Sequence, residues 1–229
     1  MERHFDKELA ELKSLLQRMA LLVEEMIDAA IDDLVNRTEA KAPAVASREQ
    51  EMDRLQIEVD EKVVVLLAIR QPMATDLRLI VTASKIGSEL ERIADQLVNV
   101  AENTHFLLQH PPLKPLIDIP NMAQDAKQMV RDSIECFLKQ DVLLAQAVIT
   151  RDDRLDAYKD QILRELLTYM MADPTAIERA LALILIARNL ERMGDHATNI
   201  AEDVIYLVQG RDVRHPGLKS SESSGKILH

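Results

Sequence analysis

The sequence predicts an all-α protein made of two tandem three-helix bundles. Apolar residues recur at the helical spacing of three and four over long stretches of the chain. Only 5 Gly and 8 Pro occur in 229 residues, which is too few for the tight turns of a β-sandwich or β-barrel. The second half of the chain also matches the first at a constant offset of 100 residues. Together these observations indicate one helical unit used twice.

The first half contains three predicted helices separated by prolines. Pro43 follows the first helix, and Gln71-Pro72 ends the second. Thr75 is a candidate N-cap for the third helix, because its hydroxyl can accept a hydrogen bond from the first turn. The helices are predicted at about 5–38, 44–70 and 74–109.

The second half repeats this order. Asp173 is the predicted N-cap of the last helix, with Pro174 as its first residue and Gly210 at its end. The three helices are predicted at about 122–139, 142–171 and 174–208.

A proline-rich stretch separates the halves and predicts the domain boundary. Pro111, Pro112 and Pro115 lie close together there. We therefore expect a first bundle over 1–112 and a second over 113–217. The segment 218–229 contains four serines and is predicted to be a disordered tail.

Composition and charge exclude several classes of function. The net charge of −11 argues against a nucleic-acid-binding protein, which needs a basic surface. The single cysteine, Cys136, cannot form an internal disulfide and is expected to be a small buried apolar residue. No signal peptide and no stretch of 18 uncharged apolar residues occur. We therefore expect a cytoplasmic protein that does not cross a membrane.

The most informative part of the repeat is an acidic motif in each third helix. Leu90-Glu91-Arg92-Ile93-Ala94-Asp95 matches Leu190-Glu191-Arg192-Met193-Gly194-Asp195. In each copy the Glu and the Asp are four residues apart, so they lie on one helix face beside the predicted core stripe. The two carboxylates repel each other, and near a core this costs free energy unless a positively charged or hydrogen-bonding partner compensates for it.

The preceding helices carry further carboxylates at repeated positions. Asp53 and Asp60 are seven residues apart, as are Asp153 and Asp160. If these helices pack antiparallel to the third helices, four carboxylates per repeat face one another and form a cation site. Hard cations or iron suit such oxygen ligands, whereas zinc normally also takes Cys or His. His196 has Gln96 as its repeat counterpart, which argues against a ligand role.

Two other interpretations remain open on spacing alone. The acidic rows can instead be solvated faces of a metal-independent helical adaptor or scaffold protein. An enzyme of the di-iron type requires Glu-x-x-His pairs, but Ala94 and Gly194 stand three residues after Glu91 and Glu191. A nucleophile with a catalytic base and a glycine-rich phosphate loop are also missing from the sequence, so we expect no catalysis.

Several of these segments resemble the PhoU family. The segment from Arg70 to Arg78, RQPMATDLR, is similar to the family pattern RQPxAxDLR, and both acidic motifs resemble its repeated LERIGD motif. The resemblance extends over about 5–217. One departure is Ala94 where the family usually has Gly, which predicts crowding of the neighbouring helix at the first site.

The resemblance implies a fold, a cofactor and a role. It implies two three-helix bundles, frequent homodimers and multinuclear metal clusters, of iron or zinc, on the ExxxD helices. It also implies negative regulation of phosphate uptake and of the phosphate regulon. The implied partners are the cytoplasmic ATPase subunit of the phosphate ABC transporter and a phosphate-sensing histidine kinase, so that any membrane association is indirect. By position the metal ligands are Glu91, Asp95, Glu191 and Asp195, with Asp53, Asp60, Asp153 and Asp160 as partners.

Overall fold

The computed structural model describes residues 2–210, and this part of the chain contains six long helices and no strand. A single 3-10 turn, Pro174–Ala176, precedes the last helix. The predicted tail and the end of the predicted second bundle lie outside the described residues. The six helices are α1 Glu2–Asn36, α2 Ala42–Arg70, α3 Ala74–Leu108, α4 Asp118–Lys139, α5 Val142–Ala172 and α6 Ile177–Gln209.

Several helix ends agree with the sequence. Asp173 accepts a hydrogen bond from the backbone N–H of Thr175 at 2.9 Å, and Gly210 ends α6 with a φ of 63°. Pro43 follows α1, as predicted, and lies in the first turn of α2, where a missing N–H costs nothing. The prediction of Thr75 as N-cap is wrong, because Met73 occupies that position and caps without a side-chain hydrogen bond. The fourth helix begins at Asp118 and not at about 122.

The helices form two layers. In the front layer the order across the molecule is α2, α3, α6, α5, and each of these helices packs on the next. Behind them α1 packs on α2 and α3, α4 packs on α5 and α6, and α1 and α4 contact each other. The loop 109–117, which contains the predicted boundary, joins the two groups of three helices.

The two halves are related by a pseudo-two-fold axis between α3 and α6. At one end Arg78 Nε donates to the Leu207 carbonyl oxygen at 3.3 Å, and at the other end Arg179 Nη1 donates to the Pro111 carbonyl oxygen at 3.2 Å. Each half thus places the start of its third helix beside the end of the other half's third helix. The two copies of the repeat therefore pack together like the subunits of a dimer, with α3 and α6 antiparallel.

One continuous apolar core runs through both halves. Cys136 is fully buried, as expected, and burial raises the pKa of its thiol to about 12, so it is an inert core residue. The predicted core stripes of the third helices are buried, which confirms the helical phase read from the sequence. They consist of Ile86, Leu90, Ile93, Leu97 and Val100 in α3, and Leu190, Met193, Ala197, Ile200, Val204 and Leu207 in α6.

Candidate metal centre

The two ExxxD motifs lie at the middle of the front layer, where α3 faces α2 and α6 faces α5. Leu90 and Ile93 next to the first motif are fully buried, so the phase of α3 is set by its core stripe. That phase leaves Glu91 partly buried and Asp95 exposed in the groove toward α2.

The first acidic cluster consists of Glu49, Asp53, Glu91 and Asp95. Desolvation raises the pKa of Glu91, and the negative charges of Asp95, Asp53 and Glu49 raise it further, while Arg92 opposes them. Protonation is therefore favoured by the surroundings of Glu91. A site with excess negative charge of this kind favours a bound cation.

The second acidic cluster is more crowded and consists of Asp152, Asp156, Glu191 and Asp195. Desolvation raises the pKa of Asp152 to about 6, with added repulsion from Asp195, Asp156 and Glu191. Partial desolvation and then the charge of Glu191 also raise the pKa of Asp195, although this side chain remains exposed.

Lys159 provides the positive charge within the second cluster. Its Nζ atom lies 2.6 Å from Asp156 Oδ1 and 2.8 Å from Glu191 Oε1. These contacts raise the pKa of the ammonium group, so the lysine is held in its charged form. The ammonium group thus sits where carboxylates from α5 and α6 converge, and it marks the position that favours a cation.

The structure brings together only some of the carboxylates that the sequence singled out. Asp53 faces Glu91, but Asp60 accepts a hydrogen bond from Ser84 Oγ at 2.7 Å. Ser84 precedes Glu91 by seven residues, which is about 10 Å along α3. Asp60 is therefore not close to the first ExxxD pair.

In the second half the neighbours of the ExxxD pair differ from the predicted ones. Asp153 and Asp160 are both exposed, and the charges that raise the pKa of Asp195 come from Glu191 and Asp156. Asp152 and Asp156 take the facing positions instead. Their repeat counterparts are Met52 and Gln56, so the offset of 100 residues gave no signal for them.

Gly194 explains why α5 and α6 approach so closely at the second cluster. A Cβ atom at this position would lie 2.4 Å from Leu155 Cδ1 and 2.9 Å from Asp152 Oδ1. Ala94, the counterpart of Gly194, is buried with its methyl group accommodated. Glycine is therefore required where Asp152 approaches the backbone, and Met52 stands in place of that carboxylate in the first half.

A polar link between the halves lies beside the second cluster and was not found from the sequence. Glu89 Oε2 on α3 is 2.6 Å from His196 Nδ1 on α6 and accepts from Asn199 Nδ2 at 3.3 Å. Burial opposes ionisation of Glu89, but these hydrogen bonds outweigh it and lower the pKa of the carboxyl group. His196 thus links the two halves through Glu89.

The two clusters offer carboxylate oxygens, which suit hard cations or iron. Within residues 2–210, no three His, Cys, Asp or Glu side chains are arranged closely enough to hold one metal ion as they stand. Cation binding therefore requires side-chain rotation, and in the second cluster it also requires displacement of Lys159.

The fold and the site together define a class of helical-bundle proteins, in which two pseudo-symmetric bundles each carry an acidic cluster. The model of the family described as "PhoU domain" matches residues 16–104 and 119–204. The chain belongs to the PhoU family.

Relatives and solved structures agree over nearly the whole chain. A Pseudomonas putida protein called "Phosphate-specific transport system accessory protein PhoU homolog" is 39% identical over 96% of this chain and 86% of its own length. An Aquifex aeolicus protein of the same name is 42% identical over 93% of this chain and 96% of its own length. The crystal structure of PhoU from Pseudomonas aeruginosa matches with a TM-score of 0.87 at 38% identity, over 90% of this chain and 100% of that one.

Across residues 2–210, the helices are too polar or too short in their apolar stretches for any to span a membrane.

Proposed function

We propose that this protein is a negative regulator of phosphate uptake and of the phosphate regulon. The observation that carries the proposal is the match to the PhoU family in both halves of the chain. Its relatives are called accessory proteins of the phosphate-specific transport system. A structural neighbour from Streptococcus pneumoniae, with a TM-score of 0.83 at 25% identity over 91% of this chain and 99% of that one, is called a phosphate transport system regulatory protein.

The proposed mode of action is contact with other proteins rather than catalysis. The partners are the cytoplasmic ATPase subunit of the phosphate ABC transporter and the phosphate-sensing histidine kinase. When phosphate is plentiful, the protein keeps the transporter and the kinase in their repressing states. The accessory and regulatory names of the relatives support this role.

A genetic experiment tests the regulatory role. The coding sequence is deleted in the source organism, and expression of the phosphate regulon and uptake of radioactive phosphate are measured in phosphate-rich medium. We expect both to rise in the deletion strain and to return to normal when the wild-type chain is supplied. Unchanged uptake and unchanged expression would contradict the proposal.

We further propose that the two acidic clusters bind metal ions, iron or zinc. Glu91 and Asp95 with Asp53 and Glu49 would hold the first cluster's ion. The metal would supply positive charge to a face that repels itself and would tie α2 to α3 and α5 to α6. Asp152, Asp156, Glu191 and Asp195 would hold the ion of the second cluster. The raised pKa values of Glu91 and Asp152 support cation binding in both clusters, and so does the position of the Lys159 ammonium group in the second one.

Elemental analysis decides between metal binding and the metal-independent adaptor. The protein is purified without a histidine tag or chelator, beside the Asp95→Asn/Asp195→Asn variant. Metal binding predicts at least about one ion per chain in the wild type, loss of that ion in the variant and a lower melting temperature. The adaptor instead predicts that Lys159 alone neutralises part of the second cluster and that no metal ion is bound. Metal-free wild type with an unchanged melting temperature in added metal would establish that alternative.

A homodimer, which the family resemblance implied, stays a prediction. Light scattering of the purified chain at several concentrations measures it directly.

A further inference from the structure

The front face carries two exposed apolar surfaces at equivalent places in the repeat. The first tip, at the turn between α2 and α3, includes Met73, Leu77 and Val81, which are 81%, 42% and 41% exposed. The second tip, at the turn between α5 and α6, includes Leu163, Leu167, Met171, Ile177 and Leu181, whose exposures range from 38% to 86%.

The two tips are repeat counterparts. Leu77 corresponds to Ile177, and Val81 corresponds to Leu181. Clusters of exposed apolar side chains often mark binding sites. Their occurrence at both copies of one position indicates two binding sites of the same kind.

The second tip adjoins a pocket between α5 and α6. This pocket of about 250 Å³ begins at Leu163 and extends to Lys159 and Glu191 of the second acidic cluster. Since α5 and α6 are antiparallel, the following turns of α5 bring Leu167 and Met171 beside the first turns of α6. Leu181 stands there with about half of its surface exposed.

Both tips open on the same side of the molecule. The back layer of α1 and α4 covers one side of α3 and α6, so the exposed ridges of these two helices share the other side. Because α3 and α6 are antiparallel, the tips lie at opposite ends of this front face. The distance between the tips can be measured along α3. Leu181 of the second tip lies beside a part of α3 that is about 24 residues after Val81, which corresponds to about 36 Å along the helix axis.

The front face between the tips carries both acidic clusters, one in the groove between α2 and α3 and one in the groove between α5 and α6. The strip between the clusters, where α3 meets α6, carries both signs of charge, from Lys85, Glu89, Arg92 and Asp203. A partner that covers the whole face must therefore place basic residues opposite the two clusters and apolar residues opposite each tip. A second copy of the same face does not meet this requirement, because its own clusters are acidic.

We propose that the front face is a two-site docking surface for a two-fold symmetric protein, each tip binding one of two identical subunits that present apolar residues bordered by basic ones. This inference rests on the proposed function, because the paired ATPase subunits of an ABC transporter have that symmetry. One chain then bridges both subunits of a pair and restrains their relative movement.

Substitution of one residue in each tip tests the proposal with matched controls. The variants are Val81→Asp, Leu181→Asp and the double variant. The control is Leu21→Asp on α1 in the back layer, because Leu21 is 59% exposed, which is more than Leu181 (49%) or Val81 (41%). Melting temperatures establish that each variant folds. The probe is the purified ATPase subunit of the phosphate transporter, kept as an ATP-bound dimer by a substitution that blocks hydrolysis. Calorimetry gives the affinity, and sedimentation gives the mass of the complex.

The expected result is one chain per two ATPase subunits, with binding that weakens as salt is raised. Each single variant should weaken binding by about tenfold to a hundredfold. The intact tip then binds alone, without the high effective concentration that the contact at the other tip provides. The double variant should not bind, and Leu21→Asp should bind like the wild type.

Other outcomes overturn the inference in distinguishable ways. Equal affinity of the wild type and the double variant for the ATPase would show that the tips are not the docking surface, while the proposed function stands. Loss of self-association in the tip variants, with ATPase binding retained, would assign the tips to a homodimer. A wild type that binds neither the ATPase nor the histidine kinase would remove the proposed partner contacts and this inference with them.

Discussion

Asp152→Asn is expected to stabilise the metal-free protein, although it removes a carboxylate that the second cluster would use as a ligand. The surroundings raise the pKa of Asp152 from 3.8 to about 6. A raised carboxyl pKa means that folding disfavours the ionised form, so the ionised group costs stability at neutral pH. The shift of about two units corresponds to about 3 kcal/mol.

The expected gain is smaller than this upper figure, because the cluster is open to solvent and Lys159 offsets part of the repulsion. We expect about 2 kcal/mol, or a melting temperature about 4–8 °C higher for a chain of this length. The pH dependence of this gain follows from the difference between the ordinary and the raised pKa of Asp152. The cost is absent below the ordinary pKa of 3.8, grows as pH rises and is complete above about 6. The gain should therefore appear between pH 4 and pH 6 and stay constant above that.

Thermal melts followed by circular dichroism in chelator, from pH 4 to pH 8, measure this difference. Asp153→Asn is the matched control, since it removes the same charge one residue away on an exposed side chain. Equal stabilisation by both variants would mean that general charge relief, and not the cluster, is responsible. No stabilisation by Asp152→Asn at pH 8 would refute the reasoning. If metal binds as proposed, saturating metal should reverse the order and make the wild type more stable than Asp152→Asn.

Two further predictions concern the packing of α5 on α6 and the link between the halves. Gly194→Ala should destabilise the protein by about 1–2 kcal/mol, because overpacking against Leu155 outweighs the better helix propensity of alanine. Gly87→Ala should be near neutral, because its Cβ would lie 3.3 Å from Val59 Cγ1 and this mild crowding offsets the better helix propensity of alanine. Denaturant titration of both variants measures the difference, and equal stabilities would contradict the packing argument. Glu89→Gln should cost about 1–3 kcal/mol at pH 7 by weakening the contact with His196. The pKa of Glu89 is lowered from 4.5, so its contribution is present above that value and is lost as pH falls through the lowered value. A difference between variant and wild type that does not shrink as the pH is lowered through the acid range would argue against this origin.

Much of the site follows from the sequence, and its remaining members do not. The ExxxD pairs could be found because spacing on a single helix fixes which side chains share a face. The carboxylates opposite them could not, because the rotation of α5 against α6 depends on packing between helices. A rotation by one residue replaces Asp153 with Asp152, and the space at Gly194 admits Asp152.

The sequence by itself determined the six helices, the duplication at an offset of 100 residues and the phase of each core stripe. These properties depend on local periodicity and on residues that start or stop a helix. Tertiary structure alone decided that α3 and α6 are antiparallel, that α2, α3, α6 and α5 form the front layer and that Glu89 meets His196 across the pseudo-two-fold axis. Such features join residues about one hundred positions apart, and only the close packing of the shared core selects among the ways in which two bundles can meet.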